Sequence, residues 1–276
     1  MIYRLKTLVV LLVVAFATMA PVCVLSGGET TTSTSSIELS NNAIIEVIGE
    51  NAELRITRSL STSLDLKATF HNSEFVDFYT QSLTSGPSGH FIISATTSTG
   101  GQTTANSILE LEIPDGARLI VRTTNRPVSI ADVTLNSADI STTVGKIAVR
   151  GSTGDFDLST TNSEVLVQSV VGLVNVSTTN AHVWFEGVVS EGSNSIVTSN
   201  GDVAIRLRSG SDVFVSGITH NGDVSVNDSD SGVTKDGDKA SFEHQISNGT
   251  ASFEITNGPG AIHINPDTIA VFDGDS

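Results

Sequence analysis

The sequence predicts an all-β chain whose C-terminal half is a single-chain parallel β-solenoid of short two-strand rungs. Three observations predict it: a Thr-Thr-Asn motif that returns at near-constant spacing, an apolar–variable–apolar triplet after each return, and a polar fraction made of Ser, Thr, Asn and Gly rather than Lys and Glu. That polar fraction disfavours long helices and favours strands and turns. With 276 residues, 38% hydrophobic and 16% charged, the chain can bury a substantial core.

The repeat is read from Arg122 onward. Segments begin at Arg122-Thr-Thr-Asn125, Ser141-Thr-Thr-Val144, Ser159-Thr-Thr-Asn162, Ser177-Thr-Thr-Asn180 and Val197-Thr-Ser-Asn200, in steps of 19, 18, 18 and 20 residues. Looser copies carry Thr219-His-Asn-Gly222 and Thr256-Asn-Gly258. Behind each corner stands a pair two residues apart: Val128/Ile130, Ile147/Val149, Val165/Val167, Val183/Phe185, Val203/Ile205 and Val224/Val226. Period two puts both members of a pair on one face. A turn follows near Gly151, Gly172, Gly187 or Gly210, and then a second alternation: Ala138/Ile140, Phe156/Leu158, Val174/Val176 and Val213/Val215. One rung cannot bury its own apolar face, so the rungs are expected to stack into continuous columns. Asn125, Asn162, Asn180, Asn200, Asn221 and Asn257 are expected at one corner, as a ladder of amides broken by Val144.

Residues 37–121 are also read as β, but out of register with the repeat. Ala43–Ile48, Glu53–Thr57, Leu64–Ala68, Phe75–Phe78, His90–Ser94 and Ile108–Ile113 read as strands, with turn signals at Gly49-Glu50-Asn51, Gly86-Pro87 and Gly100-Gly101. They are expected to form an N-terminal sheet region capping the open end of the solenoid, which spans 122–276. Residues 227–240 read as an acidic loop inserted in the penultimate rung, with the strands after it closing the stack.

The N-terminus reads as an export signal. Arg4 and Lys6 precede an apolar run from Thr7 to Ala20, and small residues follow up to Gly28. Within residues 1–26 three readings stand open: a cleaved signal peptide, a lipidated Cys23, or an uncleaved anchor, since Thr7 to Leu25 is marginally long enough to span a bilayer. Val22 before Cys23 departs from the small residue a lipidation site wants there. All three readings place the remainder outside the cytoplasm, secreted, periplasmic or on the cell surface. Cys23 is the only cysteine, so no internal disulfide can form. Residues 27–36, Ser/Thr-rich, read as a linker.

The stretch Leu109-Glu-Leu-Glu-Ile-Pro114-Asp-Gly-Ala-Arg-Leu-Ile-Val-Arg-Thr-Thr-Asn125, followed by the repeated Thr-Thr-Asn and Ser-Asn-Gly-Asp202-Val elements, resembles the bacterial and archaeal putative-adhesin family. The resemblance covers roughly residues 36–264 and rests on repetition, the single motif being short. The Asn-Gly-Asp corner is intact at Asn200–Asp202 and Asn221–Asp223, and the other copies depart from it. The resemblance implies a toast-rack-like β-solenoid of unknown function outside the cytoplasm, and it brings no catalytic residues.

Chemistry is sparse. The formal net charge of −16 repels phosphate backbones, so nucleic acid is not an expected partner. The six histidines show no metal-ligand spacing, and no Gly-x-Ser-x-Gly or phosphate loop occurs. No cofactor is expected and no catalytic residue is assigned. Asp139 and Asp157 fall at equivalent positions of neighbouring rungs and are the enzymatic candidates, for a polysaccharide-acting β-helix; aromatic platforms for sugars are scarce, with one Trp and two Tyr. Asp228, Asp230, Asp236 and Asp238 are candidates for a weak calcium site, though the loop lacks the EF-hand and nonapeptide calcium patterns.

The middle residue of each triplet is expected to face outward: Ser129, Ala148, Leu166, Trp184, Ala204 and Ser225. Leu166 and Trp184 are large apolar neighbours in that column, which marks a candidate contact surface. The expected function is therefore a non-catalytic binding or scaffold module of the cell envelope. Its partner is expected to be an envelope or cell-surface protein or glycan, with the membrane touched only through the N-terminal segment. The alternatives are a polysaccharide-acting enzyme and an envelope-stress sensing partner.

Overall fold

The computed structural model describes residues 30–39, 42–73, 76–83, 89–97, 105–189, 192–227 and 232–265. The N-terminal apolar segment, Cys23, Asp228 and Asp230 lie outside the described residues. The described residues contain no α-helix; 23 strands join in one sheet with mixed, mainly parallel pairing. No helix among them is long and apolar enough to cross a membrane.

In chain order the first strands are β1 (Thr31–Glu38), β2 (Ile44–Gly49), β3 (Ala52–Arg58), β4 (Ser63–His71), β5 (Val76–Ser82), β6 (His90–Thr97) and β7 (Asn106–Ile113). The repeat supplies β8 (Ala117–Thr123), β9 (Val128–Ala131), β10 (Thr134–Thr142), β11 (Ile147–Arg150), β12 (Thr153–Thr160), β13 (Val165–Gly172), β14 (Val174–Thr178), β15 (Val183–Val189), β16 (Ser193–Thr198) and β17 (Val203–Leu207). The last are β18 (Val213–His220), β19 (Val224–Val226), β20 (Thr234–Asp236), β21 (Lys239–Ile246), β22 (Ala251–Asn257) and β23 (Ile262–Ile264).

Through the repeat, each strand pairs in parallel with the strand two places on. One column runs β8, β10, β12, β14, β16 and the other β9, β11, β13, β15, β17. The inward pairs read from sequence stack in register. Val128, Ile147, Val165, Val183 and Val203 are successive partners, each at most 1% exposed. On the other column Ala138, Phe156 and Val174 align, as do Ile140, Leu158 and Val176. Burying such side chains contributes about 1.5–3 kcal/mol each.

The ends differ from the sequence expectation. Residues 37–121 do not form a separate sheet. β2 lies between β6 and β8, and β3 between β7 and β9, all parallel, so the columns continue through them. At the other end the last rung in sequence, β22 and β23, lies between the β16/β17 rung and the β18/β19 rung. Each terminal rung is thus inserted inside an outermost rung made of sequence nearer the middle. Identical apolar columns accept rungs in any order, so the repeat pattern does not encode this arrangement.

The caps are antiparallel. β5 pairs with β6, β4 with β7, and β21 with β18, with β20 on β21. The second half of the acidic insertion is therefore a hairpin rather than a loop. Likewise, the Ser/Thr segment read as a linker forms β1 on β4 from Thr31 on, because alternating Ser and Thr suit an edge strand once a partner is present.

One register differs from the sequence reading at β18. Val215 partners Phe253, and Gly217 partners Ile255, so the equivalent inward pair is Val215/Gly217 rather than Val213/Val215. Gly217 takes the place of an aliphatic side chain, and Phe242 of β21, its antiparallel partner, fills the space.

Candidate functional site

The corners are structural. The first Thr of each motif turns inward: Thr142, Thr160, Thr178 and Thr198 are buried. Thr142 Oγ1 donates to the Thr124 carbonyl at 3.2 Å, and Thr198 Oγ1 to that of Ala181 at 3.2 Å. The Asn residues form the expected ladder in part. Asn200 donates to Asn180 at 3.0 Å, and Asn180 to Asn162 at 2.9 Å. Asn125 donates instead to Asn51 at 2.8 Å, a member not read from sequence, and exposed Val144 separates the two ladders. Asn257 is not in the ladder. It partners Thr198 and is buried at the inward position, because the last rung carries Asn where the others carry Thr.

Asp139 and Asp157 are direct partners on parallel neighbours, which places their Cα atoms about 4.8 Å apart. Asp139 is clamped by Arg122, whose two terminal nitrogens donate to Oδ1 at 2.8 Å and Oδ2 at 2.5 Å. The Asp139 hydrogen bond, opposed by burial, holds the Arg122 pKa above the usual arginine value. With both oxygens engaged by a guanidinium, Asp139 is occupied as an ion-pair partner. Of the calcium candidates, Asp236 and Asp238 lie in the exposed β20–β21 hairpin, with Asp236 opposite Lys239. Among the described residues no group of three or more His, Cys, Asp or Glu is arranged to hold a metal ion.

Leu166 and Trp184 are brought together as expected. Ala148, Leu166, Trp184 and Ala204 are successive partners on β11, β13, β15 and β17. Their neighbours along each strand are the inward core residues, so alternation turns all four outward. The strip is three inter-strand spacings long, about 14 Å. Leu166 and Trp184 are half-buried rather than fully exposed, and Ala148 beside them is 7% exposed.

The same outward row changes character at both ends. Toward β7 it passes to Ser129, Arg55 and Glu110, with Lys67 next on β4. Lys67 Nζ donates to Glu110 at 2.6 Å, and this bond lowers the Glu110 pKa. Toward β19 the row passes to His263 and Ser225, hydrogen-bonded at 2.7 Å. The apolar strip is therefore an island bounded by polar networks.

Its sides are charged. On one side Lys146 pairs with Glu164 at 3.1 Å, and His182 lies 3.5 Å from Asp202. On the other, Arg150, Gln168, Glu186 and Arg206 are successive partners. Arg208 reaches over this row, its Nε and a terminal nitrogen donating to Glu186 Oε1 at 2.8 and 2.5 Å, which leaves Glu186 only 6% exposed. Sequence reasoning did not single out this arginine row. Carrying the period-two alternation one step beyond Leu166 and Trp184 would have reached Gln168 and Glu186, and their equivalents Arg150 and Arg206.

No family model matches the chain, and no curated protein matches it. Solved structures do. A putative cell adhesion protein from Clostridium sporogenes aligns at 13% identity over 86% of this chain and 99% of its own, with a TM-score of 0.45. A putative adhesin from Parabacteroides merdae aligns at 12% identity over 84% and 95%, with a TM-score of 0.38. One from Bacteroides fragilis aligns at 9% over 86% and 98%, at 0.34. These similar structures are all described as putative adhesins or a putative cell adhesion protein, the kind of family the sequence motifs resemble.

Proposed function

We propose that this protein is a non-catalytic, extracytoplasmic binding module of the cell envelope, a β-solenoid whose two parallel columns hold one outer face rigid. The observation that carries this reading is the in-register strip Ala148–Leu166–Trp184–Ala204, an apolar island with charged sides. Such a surface has the anatomy of a contact patch, an apolar centre within a polar rim. The export reading rests on the basic and apolar N-terminal segment. Capture of envelope components by the purified protein, compared with Trp184→Ala, tests the reading: loss of the captured set in the variant is expected, and an unchanged set would remove the strip as the contact surface.

A rival reading is a polysaccharide-acting enzyme built on Asp139 and Asp157, favoured by their direct partnership across the rungs. The Arg122 clamp on Asp139 supports the non-catalytic reading instead. The double variant Asp139→Asn/Asp157→Asn decides between them: if it abolishes release of reducing or unsaturated ends from polysaccharide by the wild type, the module is an enzyme.

A further inference from the structure

We propose that the partner of the Trp184 strip is an acidic polysaccharide, its sugar rings laid on Trp184 and Leu166 and its carboxylates held by the arginine row. This rests on the strip being a contact surface and goes further by naming the partner's chemistry.

Size argues first. A stable protein interface takes about 20–30 residues on each side, whereas this apolar island is one side chain wide and about 14 Å long. A narrow strip of that kind fits a linear polymer. Trp184 is the only Trp in the chain, and the negative face of an indole attracts the slightly positive C–H edges that a sugar ring presents.

Charge argues second. The chain carries 30 Asp+Glu against 14 Lys+Arg. Along one side of the strip the balance reverses, for Arg150, Arg206 and Arg208 stand with the carboxylate of Glu186, while on the other side Lys146 faces Glu164 and His182 faces Asp202. Arg150 is exposed, and its guanidinium has no partner among the described residues. The outward row of the other column is richer in acid, with Glu46, Asp139, Asp157, Glu254 and Glu243 interspersed with Ile120, Asn175, Ser195 and Ser216, although Arg122 pairs with Asp139 and His90 with Glu46. A polyanion is thus drawn to the arginine side of the strip in preference to the acidic row. Arginine forks match carboxylates bidentately, which selects uronic acid rings over neutral ones.

The test uses the purified full chain with polygalacturonate, which carries a carboxylate on every ring, and dextran, which is neutral. Affinity electrophoresis and calorimetry should show binding to polygalacturonate and not to dextran, weakening as salt is raised. Arg150→Gln should weaken binding about tenfold, as expected for loss of a charged hydrogen bond, and Arg150→Gln/Arg206→Gln further. Trp184→Ala should reduce binding with little change in Tm. Failure of the wild type to bind polygalacturonate, or binding that both arginine changes leave intact, overturns the proposal. Equal, Trp184-dependent binding to dextran also overturns it, while leaving the strip as a contact surface. Trp184-dependent capture of envelope components is a separate readout, so the two readings fail separately.

Discussion

Gly217 and Phe242 share one site in the core: a Cβ at position 217 would lie 2.3 Å from Phe242 Cε1 and 2.9 Å from its Cζ. The two residues are antiparallel partners on β18 and β21, and Phe242 is only 2% exposed. The capping hairpin is therefore keyed into the outermost rung by an aromatic ring that occupies the volume of a missing side chain. Close packing makes that volume strict.

Gly217→Ala should accordingly destabilise the fold by roughly 1–3 kcal/mol, as overpacking does. Denaturant titration checks it. The double variant Gly217→Ala/Phe242→Leu should recover part of the loss, because the smaller side chain gives way where the ring cannot. Equal destabilisation in both would mean that the ring is not the obstacle.

Asn194 is a polar residue in an apolar column, 2% exposed. Its Oδ1 accepts from the Val174 N–H at 2.9 Å, and its Nδ2 donates to the Ser252 carbonyl at 3.1 Å. It ties together the two strands that flank β16, at the place where β22 enters the stack. Asn194→Ala strands one backbone donor and one acceptor, and should cost roughly 2–4 kcal/mol. Asn194→Val, which fills the column but bonds to neither group, should not restore stability in thermal melts.

Val144 interrupts the corner ladder between Asn125 and Asn162 and is exposed. Val144→Asn should join the Asn51–Asn125 pair to the Asn162–Asn180–Asn200 run and stabilise the protein by roughly 0.5–1 kcal/mol. A lower denaturation midpoint would show that the ladder does not tolerate continuation there.

Asp212 fastens the start of β22 to that of β18. Burial works to raise its pKa, but hydrogen bonds from Thr250 and from the N–H groups of Gly249, Thr250 and Asn248 outweigh it, and the pKa lies below the ordinary value of 3.8. A depressed carboxylate stabilises the folded state above the unfolded pKa, and that contribution disappears as pH falls through the folded pKa. Asp212→Asn should therefore reduce stability at neutral pH and flatten its loss on acidification below about pH 4. Melts between pH 7 and pH 2 on both proteins read the difference.

The sequence by itself determined the strands of the repeat, the face that each presents to the core, and the outward column holding Leu166 and Trp184. These are local properties, because period-two alternation settles a side chain's direction without reference to any partner. Only the tertiary structure decided the order of the rungs at the two ends, the conversion of Thr31–Glu38 and of the loop residues Thr234–Asp236, Lys239 and Ala240 into strands, and the inward place of Asn257. Those depend on which edge lies free to be paired, and rungs with equivalent apolar faces do not specify it. The arginine row beside Trp184 falls between the two. Its direction was legible in the alternation, but the arch of Arg208 over Glu186 brings together residues 22 positions apart, and only the stacked rungs place them within reach.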